Sequence, residues 1–97
     1  MSTGKSGVEP SSRYEVYLDP RAQRDLERLN LGDRRRIDEH IVGLESNPRP
    51  YGVKKLGGDT YRVRVGDWRI IYIVDDDAKR VLISRIKRRE KDTYSRL

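Results

Sequence analysis

Hydrophobic and polar residues alternate over residues 13–18, which form the first patterned stretch of the chain. Tyr14, Val16 and Leu18 occupy every second position, and this period places their side chains on one face of a strand. Residues 1–12 are rich in Gly, Ser and Pro and contain almost no hydrophobic residue. We therefore expect a disordered leader over residues 1–12, followed by a first strand.

A helical period follows this strand. Asp19-Pro20 supplies an N-cap oxygen and a residue whose fixed φ suits the first helical turn. Ala22, Leu26 and Leu29 then recur at helical spacing. The pattern predicts a first helix that ends near residues 30–32.

A second helix is predicted immediately afterwards. Asp33 is the expected N-cap, and Ile37, Ile41 and Leu44 form an apolar stripe that ends before Asn47-Pro48. Because few residues separate the two helices, we expect them to form a hairpin.

The second half of the chain has the pattern of strands. Residues 47–59 contain two Pro and three Gly, which favours a connecting loop. Residues 61–65 alternate, Gly66-Asp67 suits a tight turn, and residues 68–74 are rich in aromatic and β-branched side chains. Residues 81–86 give a last strand before a basic tail.

The order of predicted elements is β-α-α-β-β-β, which indicates an α+β fold. Helices grouped before three strands that short turns connect favour an N-terminal helical hairpin packed on a small antiparallel sheet. A chain of 97 residues suits one such domain, which we place at residues 13–97.

The amino-acid composition disfavours several kinds of catalytic and metal site. The chain has no cysteine and one histidine, His40, which disfavours thiolate catalysis, a Ser/His/Asp triad and a structural zinc site. Charged residues make up 39% of the chain, and no stretch has the roughly 20 apolar residues that span a membrane. With no cysteine and no recognisable signal peptide, the reducing cytoplasm is the expected location.

The formal net charge of +6 is concentrated at one end of the sequence. Residues 79–97 contain 8 basic and 2 acidic residues, whereas the preceding 78 residues contain 14 of each. A localised basic excess favours a polyanionic partner, and nucleic acid is the commonest one.

The predicted hairpin places arginines opposite each other. With a turn of two or four residues centred on Gly66-Asp67, the cross-strand pairs are Arg64 with Arg69, Val63 with Ile70 and Tyr61 with Tyr72. Arg62, Arg64 and Arg69 then share the face opposite the apolar one. Like charges directly opposite disfavour a sheet, so a bound phosphate would explain them; solvated arginines that cost little are the alternative. A three-residue bulged turn would change this register.

The basic tail should extend this cluster. A last strand that pairs beside the hairpin would bring Lys87 and Arg88 close to its arginines. Tyr94 follows outside any apolar pattern and has no evident role in the core.

Several stretches of this sequence together resemble one family. They are Lys55-Leu56-Gly57-Gly58, then Tyr61-Arg62-Val63-Arg64-Val65-Gly66-Asp67-Trp68-Arg69-Ile70-Ile71-Tyr72, then the strand at residues 81–86 followed by Lys87-Arg88 and Tyr94. The chain resembles the RelE/ParE toxin family of bacterial toxin–antitoxin pairs over residues 14–94. The β-α-α-β-β-β order is also the order of that family.

The resemblance implies a metal-independent endoribonuclease, without a cofactor, that cuts mRNA in the ribosomal A site through attack by the RNA's own 2′-hydroxyl. Arg69 resembles the phosphate-stabilising arginine, Arg88 the arginine that assists the leaving group, and Tyr94 the tyrosine linked to base stacking or proton transfer. Arg62 and Arg64 complete the implied catalytic set, but they replace the lysines of the best-studied RelE type. Arginine stays protonated, so either transition-state electrostatics carries most of the rate or Tyr94 or a ribosomal group takes the proton.

The resemblance also implies partners. These are a RelB-like antitoxin and the ribosome with its mRNA and 16S rRNA, with no membrane involved. The expected contacts with RNA and ribosome are Lys54, Lys55, Lys87, Arg89 and Lys91.

Two other functions remain open within the same fold. ParE-type members bind DNA gyrase without catalysis, and they generally lack the arginine and tyrosine set that Arg69, Arg88 and Tyr94 represent here. A degenerate homologue that only binds nucleic acid is the third class. Codon-phased mRNA cleavage, inhibition of supercoiling, or neither would distinguish the three.

Overall fold

The computed structural model describes residues 13–88, which form two helices and one five-stranded sheet. The elements are β1 (Glu15–Leu18), α1 (Pro20–Glu27), α2 (Leu31–Gly43), β2 (Lys54–Gly57), β3 (Thr60–Val65), β4 (Trp68–Asp75) and β5 (Arg80–Arg88). The strands lie in the order β1-β5-β4-β3-β2. The predicted α+β class is confirmed, with both helices packed on one face of the sheet.

The sheet is mixed, whereas a small antiparallel sheet was predicted. β1 runs parallel to β5, with Val16 opposite Val81 and Leu18 opposite Ile83. Parallel neighbours need a long connection, and the two helices and three strands between β1 and β5 provide it. The other neighbouring strands are antiparallel.

The prediction of a loop over residues 47–59 was wrong for β2. Lys54 lies opposite Arg62, and Gly57 lies opposite Thr60, so this short strand pairs with the edge of β3. All four of its side chains are exposed. An edge strand without a buried side lacks the hydrophobic alternation from which strands are predicted.

The helix starts follow from their capping side chains. The carboxylate of Asp19 accepts a hydrogen bond from the Arg21 N–H over 2.8 Å, and Pro20 begins α1 as predicted. The start of α2 lies earlier than predicted, because Asn30 and not Asp33 is its N-cap. The Asn30 side chain accepts from the Asp33 N–H over 2.8 Å. The Asp33 carboxylate is therefore available for another contact.

The hydrophobic core lies between the helices and one face of the sheet. It contains Ala22 and Leu26 of α1, Ile37 and Ile41 of α2, Leu44, and Tyr61, Val63, Val65, Ile70, Tyr72, Val74, Val81, Ile83 and Ile86 of the strands. The opposite sheet face is not covered by either helix, and we call it the open face. No helix within residues 13–88 is long and apolar enough to cross a membrane.

A bulge in β5 changes which side chains reach the open face. Ile83 lies opposite Tyr72 and Ile86 lies opposite Ile70, so two residues of β5 intervene where β4 has only Ile71. Both isoleucines are buried although they are three positions apart. Past the bulge, the even-numbered residues of β5 therefore face the helices and the odd-numbered residues face away.

Asp25 of α1 fixes the backbone at this bulge. Its buried carboxylate accepts a hydrogen bond from the Ile86 N–H over 2.9 Å and two from the Arg85 guanidinium over 2.8 and 3.2 Å. Burial raises the pKa of Asp25, but the hydrogen bonds from Arg85 and Ile86 and the charges of Arg85 and Arg28 outweigh it and lower the pKa. The carboxylate therefore remains ionised and holds the end of β5 against α1.

Candidate nucleic-acid interface

The hairpin of β3 and β4 brings arginines together on the open face. Arg64 lies directly opposite Arg69, as the predicted register requires, and the predicted pairs Val63 with Ile70 and Tyr61 with Tyr72 are also confirmed. The two-residue turn contains Gly66 at φ 60°, a left-handed conformation that favours glycine. The tight turn therefore fixes which arginines are neighbours.

β5 adds a third cation to the same line. Lys87 lies opposite Arg69 on the side away from Arg64, so Lys87, Arg69 and Arg64 cross three adjacent strands. We call these three residues the cationic row. At a strand spacing of about 4.8 Å, their Cα atoms span roughly 10 Å.

Two further cations lie beside the cationic row. Arg62 is two residues before Arg64 on β3, and Lys54 lies opposite Arg62 on β2. Within residues 13–88, none of these five side chains forms an ion pair with a carboxylate. Unpaired like charges on adjacent strands disfavour the sheet, and a phosphate bridging them would turn that repulsion into binding free energy.

Arg88 lies apart from this cluster, which corrects the expectation that β5 delivers both Lys87 and Arg88 to it. Arg88 is opposite Trp68, and its guanidinium lies 5.5 Å from the centre of the Trp68 ring. Trp68 packs against the core on the helix side of the sheet. Because of the bulge, Lys87 faces the open side, whereas Arg88 lies on the other one.

Trp68 is in turn fixed to the start of α2, which the sequence did not reveal. Its Nε1–H donates a hydrogen bond to Oδ2 of Asp33 over 3.0 Å. The same oxygen accepts from the Asn30 side-chain amide over 3.3 Å, and Arg36 lies 3.6 Å from the other oxygen of Asp33. The signal was present in part, since Asp33 was singled out, but as a cap and not as the partner of an indole.

The remaining residues predicted to contact RNA do not lie in this cluster or lie outside the described residues. Lys55 lies opposite Tyr61, so it belongs to the helix-side face at the sheet edge, although its own side chain is exposed. Arg89, Lys91 and Tyr94 lie outside the described residues. The structure thus brings together Arg62, Arg64, Arg69, Lys87 and Lys54, and it separates Arg88 and Lys55 from them.

A second polar cluster lies at the opposite end of the sheet, around the turn between β4 and β5. The guanidinium of Arg49 donates to both oxygens of Asp76 over 3.2 and 2.8 Å and to the Tyr61 hydroxyl over 3.0 Å. Tyr14 also donates to Asp76, over 2.6 Å. Hydrogen bonds from Arg49 and Tyr14 lower the pKa of Asp76 to about 2. Arg49 and Asp76 neutralise each other, so these contacts hold together the connections around the turn.

Comparison with known proteins gives consistent matches. The family described as "ParE toxin of type II toxin-antitoxin system, parDE" matches residues 16–93. A Methanocaldococcus jannaschii protein named as a RelE1 toxin is 34% identical over 83 residues, which cover 80% of this chain and 92% of that protein. The toxin RelE of Mycobacterium tuberculosis is 38% identical over 80 residues, 78% of this chain and 81% of that protein.

Solved structures agree with these matches. In the crystal structure of the archaeal RelE–RelB complex from Pyrococcus horikoshii, the matched chain is 34% identical to this one and superposes with a TM-score of 0.77. The match covers 81% of this chain and 98% of that chain.

Proposed function

The chain belongs to the RelE/ParE family of toxins of toxin–antitoxin systems, and from that premise we propose that it is a ribosome-dependent endoribonuclease of the RelE type. The observation that carries the proposal is the cationic row on the open face, flanked by Arg62 and Lys54. The scissile phosphate of an mRNA lies on this row.

The reaction needs three things from its surroundings. Attack of the RNA's 2′-oxygen on the adjacent phosphorus forms a 2′,3′-cyclic phosphate and breaks the bond to the 5′-oxygen of the next nucleotide. A base takes the 2′-hydroxyl proton, an acid returns a proton to the departing 5′-oxygen, and positive charge stabilises the dianionic phosphorane.

Arg64 and Arg69 provide the positive charge. Their opposed positions on adjacent strands allow two guanidinium groups to contact one phosphate, and guanidinium forks match phosphate oxygens. Arg62 adds charge two residues along β3. Because arginine remains protonated, either transition-state electrostatics carries most of the rate or Tyr94 or a ribosomal group takes the proton.

Arg88 assists the leaving group in this proposal, although in the free protein its side chain does not face the cationic row. The guanidinium lies over Trp68 on the helix side, whereas the cationic row faces the open side. For this role the Arg88 guanidinium must leave the Trp68 ring and reach the open face when RNA binds. A phosphate on the row removes the repulsion that Lys87 and Arg69 would otherwise exert on it.

The ribosome completes the site. The cationic row lies on an uncovered sheet face, which offers one line of charge and little concave surface for an RNA strand. Contacts of Lys54, Lys55, Arg89 and Lys91 with 16S rRNA would orient the mRNA, and such positioning contributes strongly to rate.

An antitoxin is the other partner that we propose. The Pyrococcus horikoshii relative was crystallised as a complex of RelE with RelB. An acidic amphipathic segment of a RelB-like antitoxin would neutralise the cationic row and would cover the open face or displace the basic residues after β5.

The decisive experiment compares naked mRNA, mRNA on programmed ribosomes, and DNA gyrase. We expect codon-phased cleavage on ribosomes, much slower cleavage of naked RNA, and no inhibition of supercoiling. Arg88→Ala and Tyr94→Phe should slow the single-turnover cleavage while leaving the fold intact. Equal rates on naked and ribosome-bound mRNA would refute the role of the ribosome.

Gyrase is the second candidate target, because the family description that matches is that of ParE. Inhibited supercoiling without any mRNA cleavage would establish that function and exclude the ribonuclease.

A further inference from the structure

A tyrosine at the tip of a turn is fully exposed. Tyr51 lies in the connection between α2 and β2, and its side chain is entirely accessible to solvent. The Val53 N–H donates to the Pro50 carbonyl over 3.0 Å, and Gly52 has φ 86°. A positive φ at the third residue is the mark of a type II turn, in which Tyr51 occupies the second position.

Both ends of this turn are held by the fold. The Pro48 carbonyl accepts a hydrogen bond from the buried Tyr72 hydroxyl over 2.8 Å, and Arg49 is fixed by Asp76. On the other side of the turn, Val53 packs against the core. The aromatic ring is therefore presented from a rigid backbone, and a ligand that binds it pays little to order the loop.

The turn leads directly into the proposed RNA surface. Lys54 follows Tyr51 by three residues, which a chain spans in at most about 11 Å. Lys54 lies opposite Arg62 and diagonally from Arg64, at a separation of roughly 7–8 Å. The distance from Tyr51 to the cationic row is thus within the reach of a few nucleotides.

The charges around Tyr51 indicate the chemistry of its partner. Residues 50–58 contain two cations, Lys54 and Lys55, and no carboxylate, whereas Arg49 before them is paired with Asp76. Within residues 13–88, the other strongly exposed tyrosine is Tyr17, which has Glu15 beside it as a hydrogen-bond acceptor over 2.7 Å. An exposed ring in a cationic segment suits a ligand with both phosphates and flat aromatic faces.

We propose that Tyr51 stacks on a nucleobase of the RNA strand whose phosphate lies on the cationic row. This inference rests on the proposed ribonuclease function and adds a base contact to it. The site tolerates any base, because every base has a π-face. Tyr51 therefore strengthens binding and fixes the strand without selecting its sequence.

The test measures affinity for a single-stranded oligoribonucleotide that 2′-O-methyl groups make uncleavable. Tyr51→Ala should weaken binding about 5-fold to 150-fold, the range that loss of one base–aromatic stack produces. Tyr51→Phe keeps the ring and should bind almost as the wild type does, whereas Tyr51→Leu should behave like Tyr51→Ala. Tyr17→Ala is the matched control and should leave the affinity unchanged.

A second oligonucleotide separates stacking from other effects. When abasic sites replace the bases, wild type and Tyr51→Ala should bind equally. Unequal binding of this oligonucleotide would overturn the stacking role. Because Tyr51 makes no contact with the core, the melting temperature of Tyr51→Ala should equal that of the wild type.

The outcomes distinguish the two proposals. If Arg64→Ala/Arg69→Ala weakens RNA binding and Tyr51→Ala does not, the Tyr51 contact is wrong and the ribonuclease proposal stands. If the wild type binds and neither variant changes binding, the RNA site on this face is wrong and both proposals fail. If the wild type does not bind the free oligonucleotide, the Tyr51 contact is wrong, and cleavage on programmed ribosomes decides the ribonuclease proposal. Normal RNA binding by Tyr51→Ala together with weaker binding of a RelB-like antitoxin would assign Tyr51 to a protein partner instead.

Discussion

Arg69 has a cation on each side within the sheet, Arg64 on β3 and Lys87 on β5. Like charges placed directly opposite each other destabilise a strand pair by a few tenths of a kcal/mol to about 1 kcal/mol. Hydrophobic burial gains nothing from these side chains, since they lie on the open face. The arrangement is therefore explained by what binds to it and not by folding.

Arg69→Ala should lower single-turnover cleavage on the ribosome by about 100-fold to 1000-fold, the usual effect of removing one donor to a developing anion. Affinity for the ribosome should fall much less, because other cations share the binding. The melting temperature should rise by roughly 2–4 °C as the repulsion from Arg64 and Lys87 disappears. The measurements are rapid-mixing cleavage of programmed mRNA and thermal unfolding.

Arg80→Ala is the matched control. Arg80 is also on β5, but it lies opposite Glu15 on one side and Asp75 on the other. Its loss should leave the cleavage rate unchanged and should not raise the melting temperature. Wild-type cleavage by Arg69→Ala would remove Arg69 from the catalytic set and favour gyrase binding or a non-catalytic toxin.

Among the elements, those with a clear hydrophobic period were predicted from the sequence, whereas β2 and the pairing of β1 with β5 were not. The register of β3 with β4 follows from a two-residue turn and strict alternation. The position of Arg64 opposite Arg69 could therefore be predicted from the sequence. β2 has no buried side, and the parallel pairing of β1 with β5 joins segments about 65 residues apart without a local signal. Neither follows from hydrophobic periodicity.

The position of Arg88 depended on the bulge in β5. Ile83 and Ile86 both face the core, and a regular strand cannot place residues three apart on one face. This break in the alternation is visible in the sequence. It indicates that Lys87 and Arg88 face opposite sides, with Arg88 on the side of Ile86.

Asp25→Ala should destabilise the protein by about 2–3 kcal/mol in urea unfolding, because it leaves the Ile86 N–H and the Arg85 guanidinium without their partner. It should also slow cleavage, since the bulge that Asp25 holds determines which face Lys87 occupies. Asp38→Ala, at an exposed position of α2, is the control and should change stability by less than about 0.5 kcal/mol. A variant as stable as the wild type would show that the bulge forms without this carboxylate.

Across the whole molecule, the two ends of the sheet have different tasks. The end near Gly66 carries the cationic row, which forms no ion pair within residues 13–88, whereas at the end near Asp76 the guanidinium of Arg49 is paired with the Asp76 carboxylate. Asp76 connects the start of β1 through Tyr14 to the connection before β2 through Arg49. The contacts of Asp76 therefore connect segments of the chain at one end of the sheet, and the cationic row can bind an anionic ligand at the other end.

Because of the contacts of Asp76, the stability of the fold should depend on pH in the acidic range. Hydrogen bonds from Arg49 and Tyr14 lower the pKa of Asp76 from its ordinary value of 3.8 to about 2, so the unfolded chain binds this proton more readily than the folded protein does. The stabilising contribution of Asp76 is complete above about pH 4, and it is lost as the pH falls towards about 2. When the melting temperature is measured from pH 7 to pH 2, it should decrease mainly between about pH 4 and about pH 2.

Asp76→Asn tests whether this carboxylate is responsible. The variant should melt at a lower temperature than the wild type at pH 7 and should lose less stability below pH 4. Part of the decrease in stability at acidic pH should remain, because the pKa of Asp25 is also lowered. Asp77→Asn changes the next carboxyl of the same turn, which has no ion-pair partner within residues 13–88, and it should keep the wild-type profile. Parallel pH profiles for wild type and Asp76→Asn would mean that the contacts of Arg49 and Tyr14 with Asp76 do not hold the two connections together in solution.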